Sequence, residues 1–182
     1  MRRDFVRVFV IATLVGVVAA PFFAPSLQAS ALPRPGLTDG DIKAAMEGAG
    51  LTVTEAKDSD GLTLWRCETE KKSRFIVIQY RKKDEKEASS LQVVAAWDTK
   101  DAPAWDLLNV WNSQVRMTKT YLDDEKDPVL AENFRMSTMS KDELKASFTE
   151  FAAVVPVYEE VIVNGGGTAA QLSEALDAIY SR

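Results

Sequence analysis

The side chains that most often carry out catalysis are scarce in this sequence. It contains no histidine and a single cysteine, Cys67. Without an imidazole, Ser-His-Asp and Cys-His nucleophilic catalysis are excluded, and so are zinc sites that contain histidine. One thiol cannot hold a Cys₄ zinc ion or an iron–sulfur cluster within a single chain. Any catalytic chemistry would therefore have to come from carboxylates.

Carboxylates are abundant, and a pair of them at a suitable separation can hydrolyse a glycosidic bond. Most of the 27 aspartates and glutamates stand in turns or on charged faces, where ionised, solvated carboxylates are ordinary. The densest group, residues 123–127, lacks the twelve-residue spacing, central glycine and closing glutamate of an EF-hand calcium loop. We therefore expect no enzymatic activity, no cofactor and no metal site. A carboxylate-only hydrolase is the least favoured alternative.

Aromatic side chains are stronger candidates for function, as contact residues for a protein partner. A sheet with an exposed edge or an apolar groove accepts an extended peptide. Trp65 or Trp97, whichever lies on the sheet face opposite the central helix predicted for Asp101–Val115, is expected to anchor that peptide. The remaining candidate binding residues, on that helix and the strand after it, are Trp111, Asn112 and Tyr121.

The N-terminal segment has the features of an export signal. An apolar run from Val8 to Ala20 follows three arginines, and Ala29-Ser30-Ala31 matches a signal-peptidase site. We expect residues 1–31 to be a signal peptide, cleaved after Ala31 or, as second choice, after Ala29, so that the mature protein is periplasmic. The apolar run is about half of the roughly 20 residues that span a bilayer. An uncleaved membrane anchor is the alternative.

The charge of the chain bears on its partners. Removing residues 1–31 takes away three arginines and one aspartate, which moves the net charge from −5 to −7. An acidic surface repels phosphate backbones and anionic lipids, so neither nucleic acid nor a membrane surface is an expected partner. Membrane attachment is expected only if the N-terminal segment is retained.

Cys67 cannot form an intramolecular disulfide because it is the only cysteine. It alternates with Thr63 and Trp65 on one face of a strand pattern, which favours burial as a small hydrophobic residue. An intermolecular bridge is the alternative.

Local patterns predict a helix and then a meander of strands. After a linker at residues 32–36, Thr38 and its neighbours offer N-cap side chains to a helix over Asp41–Ala49, which Gly50 ends. An Asp-Gly turn at residues 58–61 separates the first two strands. The predicted strands are Leu51–Thr54, Leu62–Thr69, Arg74–Arg81 and Leu91–Trp97.

The second half of the chain alternates helices with a hairpin. Asp101 is the candidate N-cap of the central helix, and Trp105, Leu108 and Trp111, spaced by three, are expected to face the sheet. Strands over Arg116–Leu122 and Val129–Met136 follow.

Two capping boxes mark the last two helices. One begins the longest helix, with Ser140 at the N-cap and Glu143 at N3, and Pro156 is expected to kink or break that helix. After the glycines at residues 165–167, Thr168 and Gln171 repeat the pattern. The amphipathic helix that follows, to Tyr180, either docks on its own domain or captures a partner.

Three segments carry a family resemblance: Trp111-Asn112, residues 118–125 (TKTYLDDE) and residues 129–132 (VLAE). They resemble the YbjN-domain family, with the domain over residues 37–163 and a glycine hinge and short helix over 164–182. The resemblance implies an α+β fold similar to type III secretion chaperones, with an antiparallel sheet of about five or six strands. It implies no catalytic residues. The family is described as regulators of bacterial sensory transduction, and the similar chaperones bind unfolded segments of client proteins, usually as dimers.

Three functional hypotheses follow. The favoured one is a periplasmic protein-binding, regulatory or chaperone-like module, for which we expect a homodimer, although a signal peptide departs from the cytosolic role of secretion chaperones. The second is a structural homodimer of the envelope that uses the helix 172–180 as its contact. The third is the carboxylate-only hydrolase, which requires a deep pocket with two converging carboxylates.

Overall fold

A computed structural model describes residues 36–57, 59, 61, 63–81, 88–165 and 167–181. The predicted signal peptide (1–31), nearly all of the linker and the charged segment 82–87 lie outside the described residues. None of the helices within these described residues combines the length and the apolar composition that a membrane-spanning helix needs.

The fold is α+β, built on one antiparallel sheet of six strands, as predicted. The order across the sheet is β1-β2-β3-β4-β6-β5, so β5 and β1 form the two edges. The strands are β1 (Thr52–Lys57), β2 (Thr63–Glu68), β3 (Arg74–Tyr80), β4 (Ser90–Ala96), β5 (Lys119–Leu122) and β6 (Pro128–Arg135). Strand β1 begins one residue later and ends three residues later than predicted, and β5 begins at Lys119 instead of Arg116.

Four α-helices accompany the sheet: α1 (Asp39–Gly48), α2 (Trp105–Gln114), α3 (Lys141–Tyr158) and α4 (Ala169–Tyr180). A 3₁₀ turn (Met136–Thr138) follows β6, and a π-helical segment (Glu159–Val163) follows α3. The capping boxes at Ser140–Glu143 and Thr168–Gln171 are both formed, and Thr38 with Asp41 forms a third at α1. These three helix starts are therefore set by local sequence.

The core lies between one face of the sheet and the helices. Trp65, Cys67 and Val77 belong to the row of strand side chains that is buried there. From α3, Phe151 packs edge-on against Phe75 of β3, and Phe148 packs edge-on against Phe134 of β6. The alternation of the strands therefore selects this face, and α3 fills it with aromatic rings.

The prediction for the start of α2 was wrong. The helix begins at Trp105 after Ala104, which makes no side-chain cap, and Asp101 lies outside it. Trp105 is 67% exposed, whereas Leu108 and Trp111 are buried. Each step of three residues turns the helix by about 60° less than a full circle, so Trp105 lies roughly 120° from Trp111 around the axis. A spacing of three therefore does not keep both tryptophans on one face.

Helix α3 also differs from its prediction. It runs through Pro156 to Tyr158 without a break, and the backbone widens into the π-helical segment directly afterwards. Val154, Val155 and Tyr158 are fully buried on both sides of the proline. Their packing outweighs the loss of one helical hydrogen bond.

Helix α4 docks on its own domain, one of the two outcomes left open by the sequence. Leu172 and Leu176 are buried in the core cluster with α2 and α3. Gln114 Nε2 of α2 donates a hydrogen bond to Ser173 Oγ of α4 at 2.7 Å. The two leucines are therefore already covered and are not available as a dimer contact while α4 is docked.

Candidate functional site

One edge of the sheet, β5, is closed by a side chain of α2. Asn112 Nδ2 donates to the Thr120 carbonyl oxygen at 2.9 Å, and the Thr120 amide donates to Asn112 Oδ1 at 2.8 Å. This pair of bonds reproduces what a residue of a neighbouring antiparallel strand would offer. The carboxamide therefore takes the place of a further strand at Thr120.

Lys119 adds a second tie between β5 and α2. Its Nζ donates to the carbonyl oxygens of Asn112 at 3.2 Å and Val115 at 3.4 Å, at the end of α2. Carbonyls in the last turn of a helix have no partner within the helix and carry partial negative charge, so an ammonium group stabilises them. Asn112 of α2 and Lys119 of β5 therefore close this edge together, although they are not neighbours in the sequence.

Trp111 connects α2 with the residue before β5 and with α3. Its indole N–H donates to Thr118 Oγ1 at 3.0 Å, and its ring meets Tyr158 edge-on with centroids 4.9 Å apart. The Tyr158 hydroxyl is hydrogen-bonded to that of Thr120 on β5, whereas Thr118 lies just before this strand. Trp111 is fully buried, so it positions α2 against β5 and offers no surface to a partner.

Trp97 occupies the other side of Tyr158. The two rings stack with centroids 5.0 Å apart, and the Trp97 indole N–H donates to Glu159 Oε1 at 2.9 Å. The second oxygen of Glu159 accepts a hydrogen bond from the Ser73 hydroxyl. The half-buried Trp97 therefore has both its ring and its polar atom engaged within the domain.

The five predicted binding residues differ in how deeply they are buried and in where they lie. Trp65 is 1% exposed and belongs to the core, so the face opposite the helices carries neither Trp65 nor Trp97. Tyr121 is 37% exposed, and Asn112 is half-buried. The structure brings Trp97, Trp111 and Asn112 into one cluster around Tyr158 and β5 and leaves Trp65 apart from it. Their role in binding stays a prediction.

The single cysteine, Cys67, is a buried core residue, as one of the two sequence-based alternatives predicted. Cys67 is buried, with its Sγ 3.5 Å from Met46 Sδ, and this burial raises the pKa of the thiol to about 12. A thiol in this state is inert towards oxidants and metals. The alternative of an intermolecular bridge would require Cys67 to leave the core.

The other edge of the sheet, β1, is open. Among the described residues no strand pairs with its outer side. Four of its six side chains are exposed, and Val53 and Ala56 are half-buried. An unpaired edge presents N–H and C=O groups that can pair with an added strand. Sequence reasoning named the meander but not this asymmetry, because the closure of β5 depends on the position of α2.

A buried carboxyl group, Glu132 of β6, was also missed. It is 4% exposed, and neither carboxylate oxygen has a hydrogen-bond partner among the described residues. Burial, and secondarily the charge of Glu150 on α3, raises the pKa of Glu132 to about 8. The signal was present in the alternation, since Glu132 has the same parity in β6 as the buried Leu130 and Phe134.

The hydrolase hypothesis requires two converging carboxylates in a deep pocket, and the nearest approach to this is that the charge of Glu150 contributes to the raised pKa of Glu132. Because Glu132 is shut off from solvent, a substrate has no access to it in this conformation. No group of three or more histidine, cysteine, aspartate or glutamate side chains in the described part of the chain is arranged to hold a metal ion.

The chain matches a known protein family over most of its length. Residues 38–181 match the model of the YbjN family, described as "Putative bacterial sensory transduction regulator". The matched region extends past the predicted domain end at residue 163 and includes α4. No curated protein matches the sequence.

Proposed function

The chain belongs to the YbjN family, and from this premise and the unequal edges of its sheet we propose that it is a non-enzymatic, protein-binding regulatory or chaperone-like module of the periplasm. The partner is an extended segment of another protein, which adds to the sheet alongside β1. The observation that carries the proposal is the contrast between the open β1 and the closed β5.

Strand addition suits the chemistry of β1. Main-chain hydrogen bonds give such a complex its affinity, and alternate side chains of the added strand give its specificity. The exposed side chains of β1 are small or charged, with Lys57 and Glu55 in a weak ion pair at 4.0 Å. Little has to be displaced when a partner strand arrives.

Photo-crosslinking in the native envelope tests the proposal. A photoreactive residue at the exposed Thr54 of β1 should crosslink to a defined segment of one partner protein. The same residue at Asn133, exposed on β6 within the sheet, is the matched control. A synthetic peptide of the captured segment should then slow amide hydrogen exchange in β1 and not in β5. Peptide binding that leaves β1 exchange unchanged would overturn strand addition.

Export can be tested with protein purified from the same native envelope fraction. The intact mass of the protein from the envelope fraction should correspond to a chain that starts near residue 32. A full-length, membrane-bound chain would instead support the retained anchor.

A second candidate, the structural homodimer, is favoured by the sheet face that points away from the helices. Ile76 and Ile78 of β3 and Val94 of β4 are apolar side chains of this face that are only half-buried, and Ile76 lies directly opposite Val94 in the register. Two copies could cover these residues together. Light scattering of the mature chain and of an Ile78→Lys variant distinguishes the candidates. A wild-type dimer that the variant converts to a monomer supports the second.

A further inference from the structure

We propose that Trp105 and the loops beside it form a second docking site, which binds an arginine- or lysine-bearing segment of a partner protein. The site comprises residues 97–106 and 123–127 and is called the acidic corner. It adjoins β4, β5 and β6 and not β1. The proposal therefore does not depend on strand addition, since a chain that binds nothing at β1 can still bind a basic segment here.

The first observation is the exposure of Trp105. Among the large hydrophobic side chains that the structure describes, that of Trp105 is the most exposed, at 67%. No described residue forms a hydrogen bond with its indole N–H. Tryptophan combines a large apolar ring with a polar donor and is enriched at the energetic centres of protein interfaces. Trp105 is thus the tryptophan that can offer both its ring and its donor to a partner.

The second observation is the side of α2 from which Trp105 projects. Seven residues turn a helix by about 700°, so Trp105 lies within roughly 20° of Asn112 around the axis. Asn112 faces β5, where it is bonded to Thr120. Lys119 binds the carbonyls in the last turn of α2, so β5 runs back along α2 from there. Trp105 therefore stands on the β5 side of α2, at the end nearest the turn between β5 and β6.

The two loops of the acidic corner are bonded to each other. The Thr99 amide, in the segment that leads into α2, donates to Asp127 Oδ1 at 2.8 Å. The Asp127 amide in turn donates to Asp123 Oδ1 at 2.8 Å, within the turn between β5 and β6. These bonds hold the start of α2 against the turn. The acidic corner is therefore one surface, built from segments about 20 residues apart in sequence.

The charge of the acidic corner selects its occupant. It holds seven acidic side chains and two lysines, a net charge of −5. Its exposed acidic side chains are Asp98, Asp101, Asp106, Asp124 and Glu125. Among the described residues none of these five forms an ion pair. A cation placed over a tryptophan ring and surrounded by carboxylates meets attraction from both.

The favoured cation is organic. The described carboxylates are not grouped in threes around a point that a metal ion would fill. A guanidinium group instead spreads its charge over a plane that stacks on an aromatic ring and can donate to several separate oxygens. At the helix start, Asp106 Oδ1 accepts from the Leu107 amide and so offsets the partial positive charge there. An arginine side chain of a partner therefore fits this surface best.

Two synthetic peptides test the proposal on the purified protein. One alternates serine with arginine, and the other carries citrulline, which has the same shape without the charge, in place of arginine. Isothermal titration at physiological ionic strength should show roughly tenfold tighter binding of the arginine peptide, weakening as salt is added. Equal affinity for both peptides would overturn the proposal.

Trp105→Leu keeps an exposed apolar side chain and removes the aromatic face. It should weaken binding of the arginine peptide by about fivefold or more. Tyr80→Leu, which removes an exposed aromatic ring from β3, is the control and should bind as the wild type. A Trp105→Leu variant with wild-type affinity would show that the tryptophan is not the anchor.

Two pairs of substitutions separate the acidic corner from the overall charge. Asp124→Asn with Glu125→Gln removes two charges from the corner, and Glu174→Gln with Asp177→Asn removes two exposed charges from α4. The first pair should weaken binding by about three- to tenfold and the second by less than about twofold. Equal weakening would mean general attraction to an acidic protein and would contradict a defined site.

The unmodified chain provides a measurement that needs no variant to fold. The arginine peptide at saturation should shield Trp105 and so reduce acrylamide quenching of the exposed tryptophan emission. Quenching that the peptide leaves unchanged would rule out binding at Trp105. Light scattering tests the other occupant, a second copy of the chain. A dimer that Trp105→Leu converts to a monomer would assign the corner to self-association and overturn the proposal.

Discussion

The two edges of this sheet differ in what their outer backbone N–H and C=O groups are paired with. At β5 the exposed backbone is met by the carboxamide of Asn112 and tied to α2 by Lys119. At β1 the outer backbone has no strand partner among the described residues. An edge that is closed by a dedicated side chain is protected against pairing. We therefore expect strand addition at the β1 end of the sheet and not at β5.

The largest expected effect comes from removing the cap of the closed edge. Asn112→Ala leaves the amide and carbonyl of Thr120 without partners, which should cost about 2–3 kcal/mol of unfolding free energy. It also opens β5, so the variant should self-associate with rising concentration. Urea unfolding and light scattering check the two effects, with Asn109→Ala, exposed on the same helix, as the control. A stable, monomeric Asn112→Ala would show that Asn112 does not close the edge.

The next expected effect is a pH dependence of the unfolding free energy, which arises from Glu132 of β6, near the β5 end of the sheet. Folding raises the pKa of Glu132 from its ordinary value of 4.5 to about 8. The folded state therefore binds more protons than the unfolded state between these values. Stability due to this group is present below pH 4.5 and is lost as pH rises to 8. The wild type should lose roughly 1 kcal/mol per pH unit relative to Glu132→Gln from about pH 5.5 to 8. Parallel denaturation curves for both proteins would argue against a buried, protonated Glu132.

A smaller effect is expected for the tie between β5 and α2. Lys119→Met keeps the apolar stem and removes the ammonium group from the carbonyls at the end of α2, which should cost about 0.5–1 kcal/mol. Arg116→Met, at an exposed position just before β5, is the matched control. Equal stability of the two variants would mean that Lys119 does not contribute to the closed edge.

The smallest effect on stability should come from the open edge. Thr54→Lys places a charge on an exposed position of β1 and should change the unfolding free energy by no more than about 0.5 kcal/mol. It should nevertheless weaken binding of the captured peptide, because charged side chains on an edge discourage strand pairing. Isothermal titration with that peptide measures the loss. Unchanged affinity would move the partner away from β1.

Sequence was sufficient where a structure depends on neighbouring residues. The capping boxes at Ser140 and Thr168 and the alternation of the central strands were predicted because each involves residues a few positions apart. The bonds from Asn112 to Thr120 were not, since they depend on how α2 crosses β5. The resemblance pointed to Trp111-Asn112 and to residues 129–132 without saying what they do.

Glu132 and Trp105 show the two ways in which pattern reasoning failed. The parity of Glu132 placed it with the core residues of β6, yet a glutamate is usually read as a surface residue. Trp105 is apolar and was read as core, although helical geometry turns it away from Trp111. In both cases residue type was given more weight than position.

The exposure of Trp105 gives the protein a built-in optical probe. Trp65 and Trp111 are shielded and Trp97 is partly shielded, whereas Trp105 is 67% exposed at the start of α2. A soluble quencher such as acrylamide should therefore extinguish the red-shifted part of the native emission first. Because α2 carries both the cap of β5 and a contact of α4, changes at either place can be followed in the unmodified chain by its own fluorescence.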